Sequence, residues 1–218
     1  MQSRLTALQA RVLELLADAG AGWTLSGGGA LVGVYFGHRT TRDLDLFLHG
    51  RAKLGDEERI CRERLERAGL EVHVLQRAPA FLRVQVRDGA EDVLVDIVAE
   101  PVPFAEAPRE VRFGASVLRV DTMREILANK LGALIQRSEL RDLVDIEVLL
   151  EHGGDLGQGL RDASRKDGGF SPLTVGWSLA NFDVRTQAAL SELGEARCVQ
   201  LEAFRDALAA RIARVSRA

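Results

Sequence analysis

The pairing of Gly27-Gly28 with Asp43-Leu44-Asp45, which starts fifteen residues beyond the second glycine, constrains this chain more than any other feature. In Asp43-Leu44-Asp45-Leu46-Phe47-Leu48 the leucines alternate with the other residues. That is the period of a half-buried strand, so Asp43 and Asp45 project from one face. Neighbouring carboxylates repel, and a shared hard divalent cation relieves the repulsion; Mg²⁺ takes one or two carboxylates together with phosphate oxygens. Upstream, Trp23 to Ser26 reads as a short strand and Ala30 to Phe36 as a short helix that opens at the glycines. A glycine turn leading into a helix N-terminus presents free N–H groups and a positive dipole end to a phosphate. Taken singly, Gly-Gly is a turn and Asp-x-Asp at a strand end is a solvated rim. At this spacing and in strand-helix-strand order, the two together point to a metal-bound nucleotide.

With 218 residues, 46% of them apolar, the chain can bury a real core as one large domain or two small ones. A net charge of −3 gives no whole-protein electrostatic footprint for nucleic acid, although a local basic groove would be invisible in the sum. Residues 1–17 carry Leu5, Leu8, Val12, Leu15 and Leu16 at helical spacing with arginines between them, which predicts an amphipathic helix and not a signal peptide. No stretch is long and apolar enough to span a bilayer. Cys61 and Cys198 lie far apart without metal-ligand spacing, so a reducing cytoplasm is the expected location.

The pattern divides into an α/β half and a helical half, with the boundary near Asp121: residues 1–121 form the core and 122–218 a helical region that completes the nucleotide and acceptor site. Residues 56–68 read as an exposed helix ending at Gly69, and 70–75, 81–86 and 93–98 as strands, with Asp88-Gly89 marking a hairpin turn. One further strand is expected within 111–120. Thr122-Met123-Arg124-Glu125 has the form of a capping box and starts a helix to about Arg137, and Ser138 is placed to cap the next one. Residues 153–169 are a polar, glycine-rich stretch, and 195–215 a long helix with Leu201, Phe204, Leu208 and Ile212 on one stripe.

Asp96 sits in Val93-Leu94-Val95-Asp96-Ile97-Val98, a nearly continuous apolar run that predicts a strand covered on both faces. An unpaired charge there would cost several kcal/mol. Either Asp96 completes a metal set with Asp43 and Asp45 or acts as the base for an attacking hydroxyl, or it pairs with one of the many arginines. Lys130 is one of only three lysines in a chain that writes its cations as arginine, and it falls within the apolar stripe Met123, Ile126, Leu127, Leu134. Either its ammonium snorkels to water or it meets a partner. Asp142 and Asp145, spaced to share a helix face, either form a structural salt-bridge set or orient Lys130 and a nucleotide, the supporting structural role being the favoured one. Arg39 and Thr41 continue the alternation of Asp43 and Asp45 and so could reach phosphates or the acceptor.

The blocks Gly27-Gly28-Gly29-Ala30-Leu31, Gly37-His38-Arg39-Thr40-Thr41-Arg42-Asp43-Leu44-Asp45-Leu46-Phe47, Ala128-Asn129-Lys130-Leu131-Gly132-Ala133-Leu134, and Arg137 with Arg141-Asp142-Leu143-Val144-Asp145 resemble the AbiEii-type nucleotidyltransferases, toxins of type IV toxin-antitoxin systems within the DNA polymerase β-like superfamily. The resemblance covers most of the first 150 residues. It implies an α/β (α+β) nucleotidyltransferase core with a small mixed sheet flanked by helices, followed by a helical C-terminal region. It also implies two Mg²⁺ ions at Asp43 and Asp45, an NTP substrate with Lys130 near the triphosphate, and transfer of a nucleotidyl group to an acceptor, tRNA 3′ ends being one acceptor class of the family and a cognate antitoxin one class of partner. The implied reaction is attack by an acceptor hydroxyl on the α-phosphorus, with Gly27 and Gly28 holding the other phosphates.

Two positions depart from the superfamily pattern: Gly28 stands where a serine is usual, and Gly29 where relatives often carry threonine. The cradle then falls to backbone N–H groups unless Ser26 supplies the hydroxyl. An antibiotic-type transferase acting on small molecules would use the same metal residues, and a non-catalytic nucleotide-binding module would fit the lost serine. A glycosyltransferase also uses Asp-x-Asp, but the glycine turn and the Lys130 block fit it poorly.

Overall fold

The computed structural model describes residues 3–17, 19–191 and 193–215. It falls into two compact units, Met1–Thr122 and Met123–Ala218.

The first unit is built on a mixed seven-stranded sheet. Its strands are β1 (Thr24–Ser26), β2 (Asp43–His49), β3 (Glu71–Ala78), β4 (Phe81–Asp88), β5 (Glu91–Glu100), β6 (Arg109–Phe113) and β7 (Ser116–Val120), in the order β3-β4-β5-β2-β1-β7-β6. β2 runs parallel to β5 and antiparallel to β1, and β1 runs parallel to β7; β4 and β5 form a hairpin, as do β6 and β7. The single strand expected within 111–120 is therefore a hairpin turning at Gly114, whose φ of 56° suits a residue without a side chain.

Alternation decides which face of the sheet is covered. Leu44, Leu46 and Leu48 of β2 and Val93, Val95, Ile97 and Ala99 of β5 are buried, while Asp43, Asp45, Phe47, Leu94 and Val98 are half-buried. β5 is thus not covered on both faces, as its apolar run suggested: one face is sealed and the other is partly open, with Asp96 the buried exception at 5% exposure. Two helices of this unit, α1 (Ala7–Ala17) and α3 (Glu57–Arg67), pack on the sheet. On α1 the buried stripe is Leu8, Val12, Leu13 and Leu16, so Leu13 takes the place assigned to Leu15. Burial in α3 pushes the Cys61 thiol up to about 12, which makes it an inert core residue. Between β1 and β2 the chain forms one helical turn, α2 (Gly27–Ala30), and continues through a wider π turn over Leu31–Tyr35.

Among the described residues six helices make the second unit: α4 (Met123–Gln136), α5 (Leu140–Glu151), α6 (Leu156–Lys166), α7 (Pro172–Ala180), α8 (Val184–Leu190) and α9 (Glu195–Val215). α4 packs on α5, α6 and α7, and α9 on α5, α7 and α8. Ser138 does not cap α5. It takes a φ of 46°, and its hydroxyl donates to the Leu134 carbonyl at 2.7 Å, so it closes α4 instead, and Glu139 stands at the N-cap of α5. α6 lies inside the glycine-rich stretch that hid it. Each interior glycine costs about 1 kcal/mol of helix propensity. Two features offset this: the Asp155 carboxylate accepts from the Gln158 N–H at 3.0 Å, and Gly159 lets α6 close on α4, where a Cβ would sit 3.0 Å from Leu127. Among the described residues no helix is long and apolar enough to cross a membrane.

Candidate active site

The register of the sheet assembles a row of polar residues across four adjacent strands. Ser26 of β1 lies opposite Asp45 of β2, Asp45 opposite Asp96 of β5, and Asp96 opposite Arg83 of β4. Asp43, two residues before Asp45, projects from the same face. Gly27 meets the row from above. Its φ is +57°, and a Cβ added there would collide with Oδ2 of Asp45. The glycine at the start of the turn is therefore what lets this carboxylate come up against the backbone.

Gly28 makes room for a different group. A Cβ at this position would lie 2.7 Å from Nη2 of Arg39 and 3.1 Å from Oγ1 of Thr41. β2 begins only at Asp43, so Arg39 and Thr41 do not belong to the strand whose alternation placed them beside Asp43 and Asp45. They arrive there through the preceding loop. Thr41 donates from its hydroxyl to Oδ1 of Asp43 at 2.9 Å, and its carbonyl accepts from Nε2 of Gln9 on α1 at 2.8 Å. Arg39 donates to the Thr40 carbonyl at 2.8 Å. Ser26 is buried at 1% exposure in extended conformation before α2, without a side-chain cap bond, so the polar groups bordering Gly28 are those of Arg39 and Thr41.

Asp96 has found an arginine. Arg83 grips it bidentately, with Nε donating to Oδ1 at 2.7 Å and Nη2 to Oδ2 at 2.6 Å. This is a strong, geometrically specific pair, and it explains how a carboxylate is tolerated in an otherwise apolar run. Arg83 was missed by the sequence reading, although a signal existed. A two-residue turn at Gly89-Ala90 pairs Asp88 with Glu91, and counting back along the hairpin pairs position 83 with position 96. Gln9 was missed as well, and no local pattern marks it; its role follows from where α1 packs. A third unanticipated pair, His49 Nε2 with Asp121 Oδ1 at 3.1 Å, closes the far end of β2 away from solvent.

Lys130, Asp142 and Asp145 belong to the helical unit and form a cluster of their own. Nζ of Lys130 lies 2.8 Å from Oδ1 of Asp142 and 2.7 Å from Oδ2 of Asp145, and Arg137 donates to Asp142 at 2.8 and 3.0 Å. Lys130 therefore does not snorkel: it is 5% exposed, and both aspartates are fully buried. Burial pushes the Asp142 carboxyl up, but the bonds and charges of Arg137 and Lys130 outweigh it and hold the group below the usual carboxylate range. A carboxyl whose folded pKa is depressed contributes stability above its unfolded pKa of about 3.9, and that contribution is lost as pH falls through the lower folded value. Thermal melts between pH 5 and pH 3 are expected to show a steep fall for the native chain and a shallower one for Asp142→Asn; parallel curves would remove Asp142 from the acid response.

The first-unit site fits a hard divalent cation. Its donors are carboxylate oxygens on one face, beside a glycine turn that a single Cβ would obstruct. Gly27→Ala would force a left-handed residue at a cost of about 1–2 kcal/mol and would push Asp45 aside. We expect this variant to fold, with Mn²⁺ binding weakened at least about 10-fold in a titration followed by electron paramagnetic resonance, a loss of roughly 1.4 kcal/mol; unchanged binding would mean that Asp45 is not a ligand.

The description "Nucleotidyl transferase AbiEii toxin, Type IV TA system" fits a family model that matches residues 11–214. No curated protein matches the sequence. Among solved structures, the chain resembles MenT4, a nucleotidyltransferase toxin of Mycobacterium tuberculosis, at 19% identity and a TM-score of 0.63 over 96% of this chain and 85% of that one. It also resembles JHP933 of Helicobacter pylori at 21% identity and a TM-score of 0.54, over 98% and 97% of the two chains. These likenesses agree with a mixed-sheet core followed by helices. The family match spans nearly the whole sequence, and the chain belongs to the AbiEii nucleotidyltransferase toxins of type IV toxin-antitoxin systems.

Proposed function

We propose that this nucleotidyltransferase is Mg²⁺-dependent and moves an NMP from an NTP to a hydroxyl of an RNA acceptor, with tRNA the first candidate, in the cytoplasm and under control of a cognate antitoxin. The observation that supports this reading is the approach of Gly27 to Asp45 and of Gly28 to Arg39 and Thr41, a glycine turn beside carboxylate and guanidinium groups of the kind that suit a cation and a phosphate. In the reaction the acceptor oxygen forms a bond to the α-phosphorus, the bond to the β-phosphate oxygen breaks, and pyrophosphate leaves with the electron pair. Bound divalent ions would supply charge neutralisation at the phosphates and acidify the attacking hydroxyl.

The chain's own residues would then divide the work. Asp43 and Asp45 hold the ions, and Thr41 fixes the orientation of Asp43. Backbone N–H groups of the Gly27-Gly28 turn and the Arg39 guanidinium receive the outer phosphates, so Arg39 takes over the contact that a serine would otherwise make. Asp96 serves as the third ligand or as the base that accepts the hydroxyl proton, in either case after Arg83 lets go of it. Lys130, held between Asp142 and Asp145, stays with the helical unit's own buried cluster.

The test is incubation of the purified protein with each α-³²P-labelled NTP, Mg²⁺ and total RNA, beside a variant carrying Asp43→Ala and Asp45→Ala. Label in a tRNA-sized band with the intact protein alone supports the proposal and names the nucleotide. Label confined to small molecules or to the protein would move the acceptor, and label nowhere would leave a nucleotide-binding module.

A further inference from the structure

Arg83 belongs to the polar row, yet neither a metal site nor a phosphate turn requires it. Its guanidinium takes both oxygens of Asp96, while its head stays about one-third exposed and rests over the ring of Phe81, 5.7 Å from the centroid. The cation thus sits at the open end of a row in which Asp45 and Asp96 are direct neighbours. Its pKa is raised, first by the bond to Asp96 and then by the charges of Asp96, Asp43 and Asp45, against a lowering by burial. All three carboxylates feel this one guanidinium. Without a divalent ion, the charge of Arg83 eases the close approach of Asp96 to Asp45.

We propose that Arg83 is a built-in counter-ion that competes with a divalent cation for Asp96, so that Asp96 becomes a metal ligand only when the phosphates of an incoming nucleotide draw the guanidinium away. This rests on the nucleotidyltransferase reading and deepens it: loading of the second ion is coupled to nucleotide binding through one side chain. Three features suit Arg83 to the exchange. Its bidentate fork matches phosphate as well as carboxylate, its head is close enough to solvent to move, and the guanidinium already rests over the Phe81 ring. As long as the fork stays closed, both oxygens of Asp96 are engaged by Arg83, and a cation must compete with the guanidinium for them.

The test measures Mn²⁺ binding without nucleotide, from the free-ion signal in electron paramagnetic resonance and from the Mn²⁺-dependent rise in melting temperature. Arg83→Gln is expected to bind Mn²⁺ about 10-fold more tightly than the native chain, or to gain a second site, a change of roughly 1.4 kcal/mol. Adding Asp96→Asn should cancel the gain. Arg83→Lys keeps the charge, should bind Mn²⁺ close to the native level, and serves should Arg83→Gln fail to fold. Mn²⁺ binding that Arg83→Gln leaves unchanged or weakens, with Asp45→Asn still abolishing it, would overturn the role of Arg83 while leaving the metal site intact. Absence of Mn²⁺ binding in every variant would overturn both.

Discussion

Asp45→Asn is expected to reduce nucleotidyl transfer by about 10³-fold, the equivalent of roughly 4 kcal/mol, while the protein melts no lower than the native chain. The two halves of this expectation come from one feature. Asp45 lies between Gly27, whose missing side chain gives its carboxylate space, and Asp96, its partner across the parallel pair. Asp96 is held by both arms of Arg83, and Asp45 stands directly beside it in the register, so two carboxylates lie side by side in the apo site. Replacing the Asp45 carboxylate by an amide of the same shape removes a metal donor and relieves the repulsion of the two charges at the same time. Stability traded for a reactive site is a usual consequence of function. Transfer measured with labelled NTP, together with a melting curve, tests both parts. Activity within about 10-fold of native would sink the metal assignment, which requires the larger loss, and a clear fall in melting temperature would show Asp45 to be structural.

Lys130→Met should do the reverse and act first on the helical unit, destabilising it by about 3–5 kcal/mol, the usual cost of removing one partner from a buried ion pair. For a chain of this size that lowers the melting temperature on the order of 10 °C. The ammonium stands 2.8 Å from Asp142 and 2.7 Å from Asp145, both fully buried, and Arg137 is the other cation on Asp142. Methionine fills the space and leaves two buried carboxylates with one cation fewer. Adding Asp145→Asn to this variant should recover part of the loss, because it withdraws one of the charges left behind, and a double-mutant cycle reads the coupling directly. If Lys130→Met melted with the native chain and yet lost transfer, the nucleotide would be the only partner that matters to Lys130.

Much of the site was legible in the chain because it is local. Alternation from Asp43 to Leu48 set one face for the two aspartates, and a glycine pair fifteen residues earlier is near enough for a single strand-helix-strand unit to bring it back. The apolar stripe of α4 marked Lys130 as a charge in need of partners, and Asp142 and Asp145 twelve and fifteen residues on were near enough to supply them. What failed were inferences in which one pattern fits two structures. The apolar run of β5 suits a strand covered on one face or on both, a serine between helices can close one or open the next, and glycines in α6 lower helix propensity without showing that α4 needs them small.

The sequence by itself determined most elements of the first unit together with α4, α5 and α9, the shared face of Asp43 and Asp45, and the family, since these depend on spacing along one chain and on a side-chain period of two or 3.6 residues. Only the tertiary structure decided who partners whom across strands. That Asp96 meets Arg83 across the β4-β5 hairpin, that Arg39 fills the space beside Gly28, and that Gln9 of α1 supports the loop before β2 all follow from how the elements come together, not from the pattern of any one of them. A buried charge states that it needs a partner; sheet register selects which of the chain's many arginines is close enough to serve.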